Sequence, residues 1–400
     1  MLVKRGVVVD VDRLLALDEE RLKLLQEVEK IRAEKNTLTQ DDRERGVVLK
    51  EQLKEIEPRL KSLEEEVKSL HLTIPNLLSK DVPEGHSEEN NVVIRQWGEI
   101  PKFGFEPQDH LALGQRLDLI DMERAGKVSG SRFGYLKNEA VLLEFALVQL
   151  ALKTLISEGF VPIVSPVLIR KEITEGLGYW QAGEHNEYYL VTDPEEHPEG
   201  LYLVGTAEHA VVPLHAGEVL EGKSLPLRYA AFSSCFRREA GSYGKDTRGL
   251  IRVHQFDKLE MVSFARPEES REELLKFLSL EEQLIQFLKI PYQVVHMCAG
   301  DVGIPAAEKF DIEAWVPSQG KYREVTSTST TTDYQARRMN IRFKDGDQKG
   351  FVHIQNGTGF AIGRTLVAII ENYQQEDGSV KVPEVLQGYV GKDVIEVSRS

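Results

Sequence analysis

The sequence predicts an α+β protein led by an antiparallel helical hairpin, on three observations. A heptad repeat of apolar residues occupies the N-terminal part of the chain. Strand-like segments then follow one another with helices interspersed and no strict βα alternation, the mark of an antiparallel sheet with flanking helices. The length of 400 residues suits two domains better than one.

Composition narrows the class. With 41% hydrophobic and 29% charged residues the chain is globular, which excludes disordered, collagen-like and disulfide-scaffold proteins. Fifty basic against 65 acidic residues leave a net charge of −15, so a polyanionic partner has to be met by local basic patches. Cys235 and Cys298 frame no secreted disulfide fold, and no Cys/His group has zinc spacing, so no zinc is expected. The opening residues have too short an apolar run for a signal peptide. The most apolar stretch, Val141 to Ile156, is interrupted by Glu144, Gln149 and Lys153, so no membrane span is expected and a cytoplasmic location is.

The hairpin comes first. Leu49, Leu53, Ile56, Leu60, Leu63, Val67, Leu70 and Ile74 alternate steps of four and three, a coiled-coil seam. Leu17, Leu24, Val28, Ile31 and Leu38 form a looser seam upstream, and the polar segment Thr39–Gly46 between them reads as a turn. Pro58 lies inside the second helix, where a kink is expected. Residues 13–70 carry 13 basic and 15 acidic side chains, so charge alone does not separate a structural coil from a nucleic-acid binder. Lys30, Arg32, Lys35, Arg43, Arg45 and Lys50 do cluster towards the tip. We therefore divide the chain into an arm (1–75), a linker (76–100) and a body (101–400), the linker being marked by Pro, Gly and Asn between Pro75 and Asn91.

In the body a helix is expected over Asn138–Ser157, stopped by the Gly and prolines of the extended segment Gly159–Pro166. Strands are expected at Leu201–Val204, Leu227–Phe236, Ile251–Phe264, Tyr292–Met297, Phe310–Val316 and Phe351–Gln355, and helices at Glu268–Phe287 and Gly363–Tyr373.

Four clusters bear chemistry. Thr206-Ala207-Glu208 offers a hydroxyl and a carboxylate to a ligand ammonium, although a helix cap uses the same residues. Arg237-Arg238-Glu239, a Gly-containing loop (Ala240–Gly249) and Arg252 to Glu260 have the layout of a hairpin. Period two would put Arg237 with Glu239, and Arg252, His254, Phe256, Lys258 and Glu260, on common faces, as an anion grip or as an exposed ion-paired hairpin. Glu324 and Ser327, three apart in Glu324-Val325-Thr326-Ser327, could supply hard oxygen ligands to Mg²⁺ that phosphates also hold, or belong to a Thr-rich edge strand. Arg364 opens an apolar helix after Asn356-Gly-Thr358-Gly359. The helix dipole disfavours a cation there, which suggests a task for it, although a surface ion pair would also explain it.

Taken in order, these clusters resemble the bacterial-type seryl-tRNA synthetases, class II aminoacyl-tRNA synthetases, over about residues 5–390. The most specific stretches are FRREAGSYGKDTRGLIRVHQFDKLE (236–260) and NGTGFAIGRTLVAIIENYQ (356–374). KVSGSRF (127–133), the TAE triplet, DYQARR and the heptad hairpin also match. The resemblance implies a class II catalytic fold on an antiparallel sheet, ATP and Mg²⁺ as cofactors, and ligation of serine to tRNA through a seryl-adenylate. Arg237 and Arg364 would be catalytic, Arg237 on the α-phosphate. Glu239 would face the adenine amine, Phe256 and Arg364 would sandwich the ring, and Val253 would line the site. Arg238, Arg252, Val325 and Thr326 would complete the ATP site, with Glu324 and Ser327 on Mg²⁺. Thr206, Ala207, Glu208, Glu260 and Thr358 would bind serine. The arm would bind the extended variable arm of serine tRNA through Lys30, Arg32, Lys35, Arg43 and Arg45, with selenocysteine tRNA as a further substrate. Gly159–Pro166 would build a homodimer interface. The chain opens within the family's arm domain, so its first helix is expected to be lacking.

Other classes stay in view. A relative that loads a carrier protein would lack the arm, and a non-catalytic descendant would have lost Arg237, Glu239 or Arg364, all of which are present. A purely structural coiled coil leaves the body unexplained.

Overall fold

The computed structural model describes residues 2–179, 187–193, 195–240 and 249–397. Two compact units emerge, Met1–Pro75 and Asn76–Ser400.

The first unit is the expected hairpin. Helix α1 (Val11–Thr37) starts where the Asp10 carboxylate accepts the Arg13 N–H, and helix α2 spans Arg43–Leu72. The turn is shorter than Thr39–Gly46, because the Asp42 carboxylate accepts both the backbone N–H and the hydroxyl of Thr39 at 2.8 Å. That capping lets α2 begin at once, and Arg43–Gly46 become its first turn. Pro58 does not end the helix. Leu49, Leu53, Leu60, Leu63 and Val67 are buried, as are Val28 and Ile31 opposite. Ion pairs from one helix to the other, Arg13–Glu66, Arg59–Glu20, Arg32–Glu57 and Arg45–Glu34, follow the antiparallel register.

The second unit is built on a sheet of eight strands among the described residues. They are β1 (Val92–Trp97), β2 (Val161–Val164), β3 (Leu227–Phe236), β4 (Gln255–Ala265), β5 (Tyr292–His296), β6 (Glu308–Val316), β7 (Lys321–Thr332) and β8 (His353–Ala361). Their order is β1-β5-β6-β7-β8-β4-β3-β2, antiparallel except for β2 beside β3. Much of the segment read as a linker is thus part of the unit. Val92–Trp97 pairs with Tyr292–His296, and the Asn76 side-chain amide donates to the carbonyls of Pro305 and Thr331. These partners lie some 200 residues away in sequence, beyond the reach of any local pattern.

Helices α3 (Glu139–Ser157), α4 (Ser270–Phe287) and α5 (Ile362–Asn372) cover one face of the sheet. Leu143, Leu147 and Leu155 of α3, Phe277 and Leu284 of α4, and Leu366 and Ile370 of α5 form one core with Leu259, Met261, Ile312 and Phe360. α3 is long and apolar enough to cross a membrane by length and composition, and these contacts show how its apolar side is used. A second core lies on the other face, where Val262, Phe264 and Ile354 meet Leu177, Val211, Ile341 and Phe343. Alternation along β4 therefore assigns Leu259 and Met261 to the helices and Phe256, Lys258 and Glu260 to the opposite face.

Candidate functional site

A cavity of about 440 Å³ opens on the face away from the helices, and it collects most of the predicted residues. Its lining includes Thr206, Glu208, Arg237, Glu239, Arg252, Val253, Phe256, Glu260, Glu324 to Ser327, Thr358 and Arg364. Two predicted residues are missing from it. Ala207 is fully buried in the second core, and Arg238 is exposed, its backbone N–H bonded to the Glu187 carbonyl. Residues 241–248 of the Gly-containing loop lie outside the described residues.

Arg237 and Glu239 do not share a strand face, because β3 ends at Phe236. The Arg237 N–H instead bonds the His254 carbonyl, and Glu239 turns at φ +50°. The Arg237 guanidinium is held by the Gly205 carbonyl at 3.1 Å and lies 5.5 Å from the Phe256 ring centroid. On the return side, β4 starts at Gln255 and not at Ile251. The His254 N–H goes to the Arg132 carbonyl, and its Nδ1 lies 3.0 Å from the Arg237 carbonyl oxygen, so His254 supports the hairpin and does not line the cavity.

Each remaining cation at this end has a carboxylate. Arg252 Nη1 lies 2.8 Å from Glu239, and Arg364 Nη1 lies 3.1 Å from Glu324. Arg364 sits in the first turn of α5, as expected. Burial alone would raise the Glu324 carboxyl, but the Arg364 and Lys309 charges overcome it and hold it at about 2. Glu324 and Ser327, three apart, would face opposite ways on a regular strand. The pairing of β7 with β6 shifts at this point, Glu324 facing Glu313 but Thr326 facing Ile312, so Val325 is the extra residue of a bulge. The bulge returns Ser327 to the face of Glu324.

At the other end the groups are buried and interlocked. The Thr206 hydroxyl donates to Glu260 at 2.7 Å, and Lys258 pairs with the same Glu260 oxygen. Glu208 is 3% exposed and receives bonds from the Tyr179 hydroxyl and, at 2.9 Å, the Gln335 amide. Burial pushes Glu208 up to about 7; the Gln335 bond opposes this and the Glu260 charge adds to it. His209 is driven down to about 3 by burial and the nearby Arg237 and Lys258 charges, so it is neutral, with Nδ1 accepting the Gly205 N–H.

Tyr179, His209 and Lys309 have no local motif that marks them, and Gln335 stands in the DYQARR stretch without a role assigned to it. Lys258 was legible, by its place between Phe256 and Glu260 on the cavity side of β4.

The antiparallel-dominated sheet with flanking helices is that of a class II aminoacyl-tRNA synthetase. A family model described as tRNA synthetase class II core domain (G, H, P, S and T) matches residues 189–373. A Giardia lamblia prolyl-tRNA synthetase with prolyl-adenylate shares the fold, at TM-score 0.61 and 17% identity over 69% of this chain and 53% of its own.

More specific matches decide the member. The Seryl-tRNA synthetase N-terminal domain model matches residues 1–78. A serine–tRNA ligase of Dictyoglomus turgidum is 47% identical over 96% of this chain and 92% of its own length. That of Thermodesulfovibrio yellowstonii is 45% identical over 98% and 95%. A seryl-tRNA synthetase from Pyrococcus horikoshii, solved with ATP, superposes at TM-score 0.88 with 39% identity, covering all of this chain and 96% of its own. The chain belongs to the seryl-tRNA synthetase family. Its activity is that of a serine–tRNA ligase, which activates serine with ATP and passes the seryl group to tRNA.

Proposed function

We propose that the two ends of the cavity divide the work, triphosphate at the arginine end and serine at the buried end. The carrying observation is that Arg252–Glu239 and Arg364–Glu324 line the same cavity as the Thr206–Glu260–Lys258 knot. Arg237, Arg252 and Arg364 take the phosphates. Glu239 accepts from the adenine amine, Phe256 and Arg364 flank the ring, and Val253, Val325 and Thr326 form walls. Glu208 receives the serine ammonium, while Thr206, Glu260 and Thr358 read the hydroxyl. The serine carboxylate then attacks the α-phosphorus in line, pyrophosphate leaves, and the terminal ribose hydroxyl of the tRNA attacks the acyl carbon. The protein's part is positioning and charge neutralisation by fixed cations.

Glu324 and Ser327 suit Mg²⁺: an ionised carboxylate and a hydroxyl on one face are hard oxygen donors, and phosphate oxygens complete such a set. When bound, the ion neutralises charge on the triphosphate. The arm docks the extended variable arm of serine tRNA, and of selenocysteine tRNA where one exists. Leu142, Phe145, Val161 and Val164 expose apolar surface on α3 and β2, which supports a homodimer through the Gly159–Pro166 region. The enzyme works in the cytoplasm.

The test is serine-dependent ATP–pyrophosphate exchange in Arg237→Ala. A drop on the order of 10²–10³ in rate in a folded protein is expected. Near-normal exchange would remove Arg237 from the phosphate site.

A further inference from the structure

We infer that Glu281, a wholly buried carboxyl behind the sheet, is a positioning residue that sets Thr358 for recognition of the serine hydroxyl. The inference rests on the reading of Thr358 as part of the serine pocket.

The geometry comes from where two strands part. β7 and β8 are paired from Thr332–Ile354 to Thr328–Gly357, and there the ladder ends. Thr358 and Thr326 lie just past that last pair, one on each strand, where the sheet opens to form the cavity wall. Beyond Thr358 the pairing of β8 with β4 also shifts, Glu260 facing Thr358 and Leu259 facing Phe360, which leaves Gly359 as a bulge. The backbone that carries Thr358 is therefore released on one side and offset on the other. Its N–H needs another acceptor.

Glu281 supplies it. From α4, on the helix-covered face, its Oε1 accepts the Thr358 N–H at 2.9 Å, and its Oε2 lies 3.0 Å from the Thr326 hydroxyl. One carboxyl thus bridges the split between the strands. Gly357 makes room for it, since a Cβ there would stand 2.8 Å from Glu281 Oε1 and 2.9 Å from the Thr328 hydroxyl. Glu281 is 0% exposed, and burial, with the Glu260 and Asp311 charges adding, raises its carboxyl well above the usual range against the bonds from Thr326 and Thr358. Both of its oxygens act as acceptors, Oε1 for the Thr358 amide and Oε2 for the Thr326 hydroxyl. A glutamine of the same shape keeps an oxygen for the Thr358 amide and can turn its NH₂ towards the Thr326 hydroxyl oxygen, which then accepts.

Glu281→Gln and Glu281→Leu separate this role from simple support of the fold, with Thr358→Val as reference, all read by ATP–pyrophosphate exchange. Glu281→Leu should raise the serine KM roughly tenfold, the worth of one missing buried hydrogen bond, and leave the ATP KM within about twofold. Glu281→Gln should restore the serine KM to within about threefold of the unaltered enzyme. If the leucine variant does not fold, Gly357→Ala, whose Cβ would stand 2.8 Å from Glu281 Oε1 and displace it, should show the same split in KM to a smaller degree. Equal rises in both KM values, a glutamine variant as impaired as the leucine one, or an unchanged serine KM in the folded leucine variant beside a raised one in Thr358→Val, would overturn the inference alone. An unchanged serine KM in Thr358→Val would remove the pocket reading and the inference with it.

Discussion

Arg364 and Glu324 face each other across the cavity, Nη1 to Oε2 at 3.1 Å, and the guanidinium also donates to the Glu324 and Ile251 carbonyls. A cation in the first turn of a helix works against the dipole. The pair resolves that tension, and Glu324's charge in turn raises the Arg364 guanidinium further. It also leaves Glu324 with the arginine as one partner and the metal ion proposed beside Ser327 as a second.

Replacing Glu324 by Gln keeps the shape and removes the charge. The Mg²⁺ concentration for half-maximal pyrophosphate exchange should rise by roughly tenfold, as expected when one charged ligand is removed. The serine KM should stay where it was. A magnesium titration with an unaltered midpoint would take Glu324 out of the metal site.

This pair shows how far the sequence reaches. Arg364 was legible because its position contradicts a local electrostatic preference, and Glu324 because it stands near Ser327. Their common face was not legible, since it depends on the bulge at Val325, which exists only in the pairing with β6. The same limit applies elsewhere. Strand β3 matches Leu227–Phe236 residue for residue, as the heptad seam matches the buried face of α2, because both are local patterns. Val92–Trp97 was read as linker because its partner is distant in sequence, and Arg237 left its strand because His254 takes its backbone. Gln335 and Tyr179 meet Glu208 by tertiary packing alone.

Discrimination between amino acids follows from the buried end. Glu260 and Thr358 are 2% and 4% exposed, so an amino acid without a hydroxyl leaves buried polar groups unpaired. Alanine should be activated roughly 10⁴–10⁵ times less efficiently than serine. Threonine carries the hydroxyl and is opposed only by crowding of its methyl, which is weaker, about 10². Exchange assays with each amino acid give these ratios, and comparable rates for serine and alanine would move the amino-acid pocket elsewhere.

With Glu208 on the serine ammonium, as proposed, serine binding should depend on pH. Its carboxyl ordinarily titrates at 4.5 and is pushed to about 7 by burial. Between those values the free folded enzyme holds a proton that the unfolded chain has released. The stability contributed is therefore complete below 4.5 and is lost as pH rises through 7. The serine ammonium requires the charged form, so the serine KM should rise about tenfold for each pH unit below 7. Glu208→Gln should bind serine poorly at every pH and melt higher than the unaltered enzyme at pH 8. A flat serine KM from pH 6 to 8 would show that Glu208 does not meet the ammonium.

The arm can be tested by which of its cations are already engaged. Arg32 pairs with Glu57 and Arg45 with Glu34, each across the hairpin, whereas Lys30, Lys35 and Arg43 are exposed and form no ion pair with a described residue. Exposed ion pairs contribute little to stability, at most about 1 kcal/mol, but they do cancel local charge. Phosphate contacts should therefore come mainly from Lys30, Lys35 and Arg43. Replacing these three by Gln should weaken tRNA binding and lower the slope of log affinity against log salt by roughly 0.7–0.9 for each phosphate no longer neutralised. Replacing Arg32 and Arg45 should change that slope less and slightly loosen the hairpin. Serine-dependent pyrophosphate exchange should persist in both variants, because every residue that lines the cavity belongs to the unit Asn76–Ser400. Filter binding across a salt series, beside exchange and charging assays, reads all three quantities. A triple variant that binds and charges tRNA like the unaltered enzyme would make the arm a structural coil, with its tip charges no more than solvated surface.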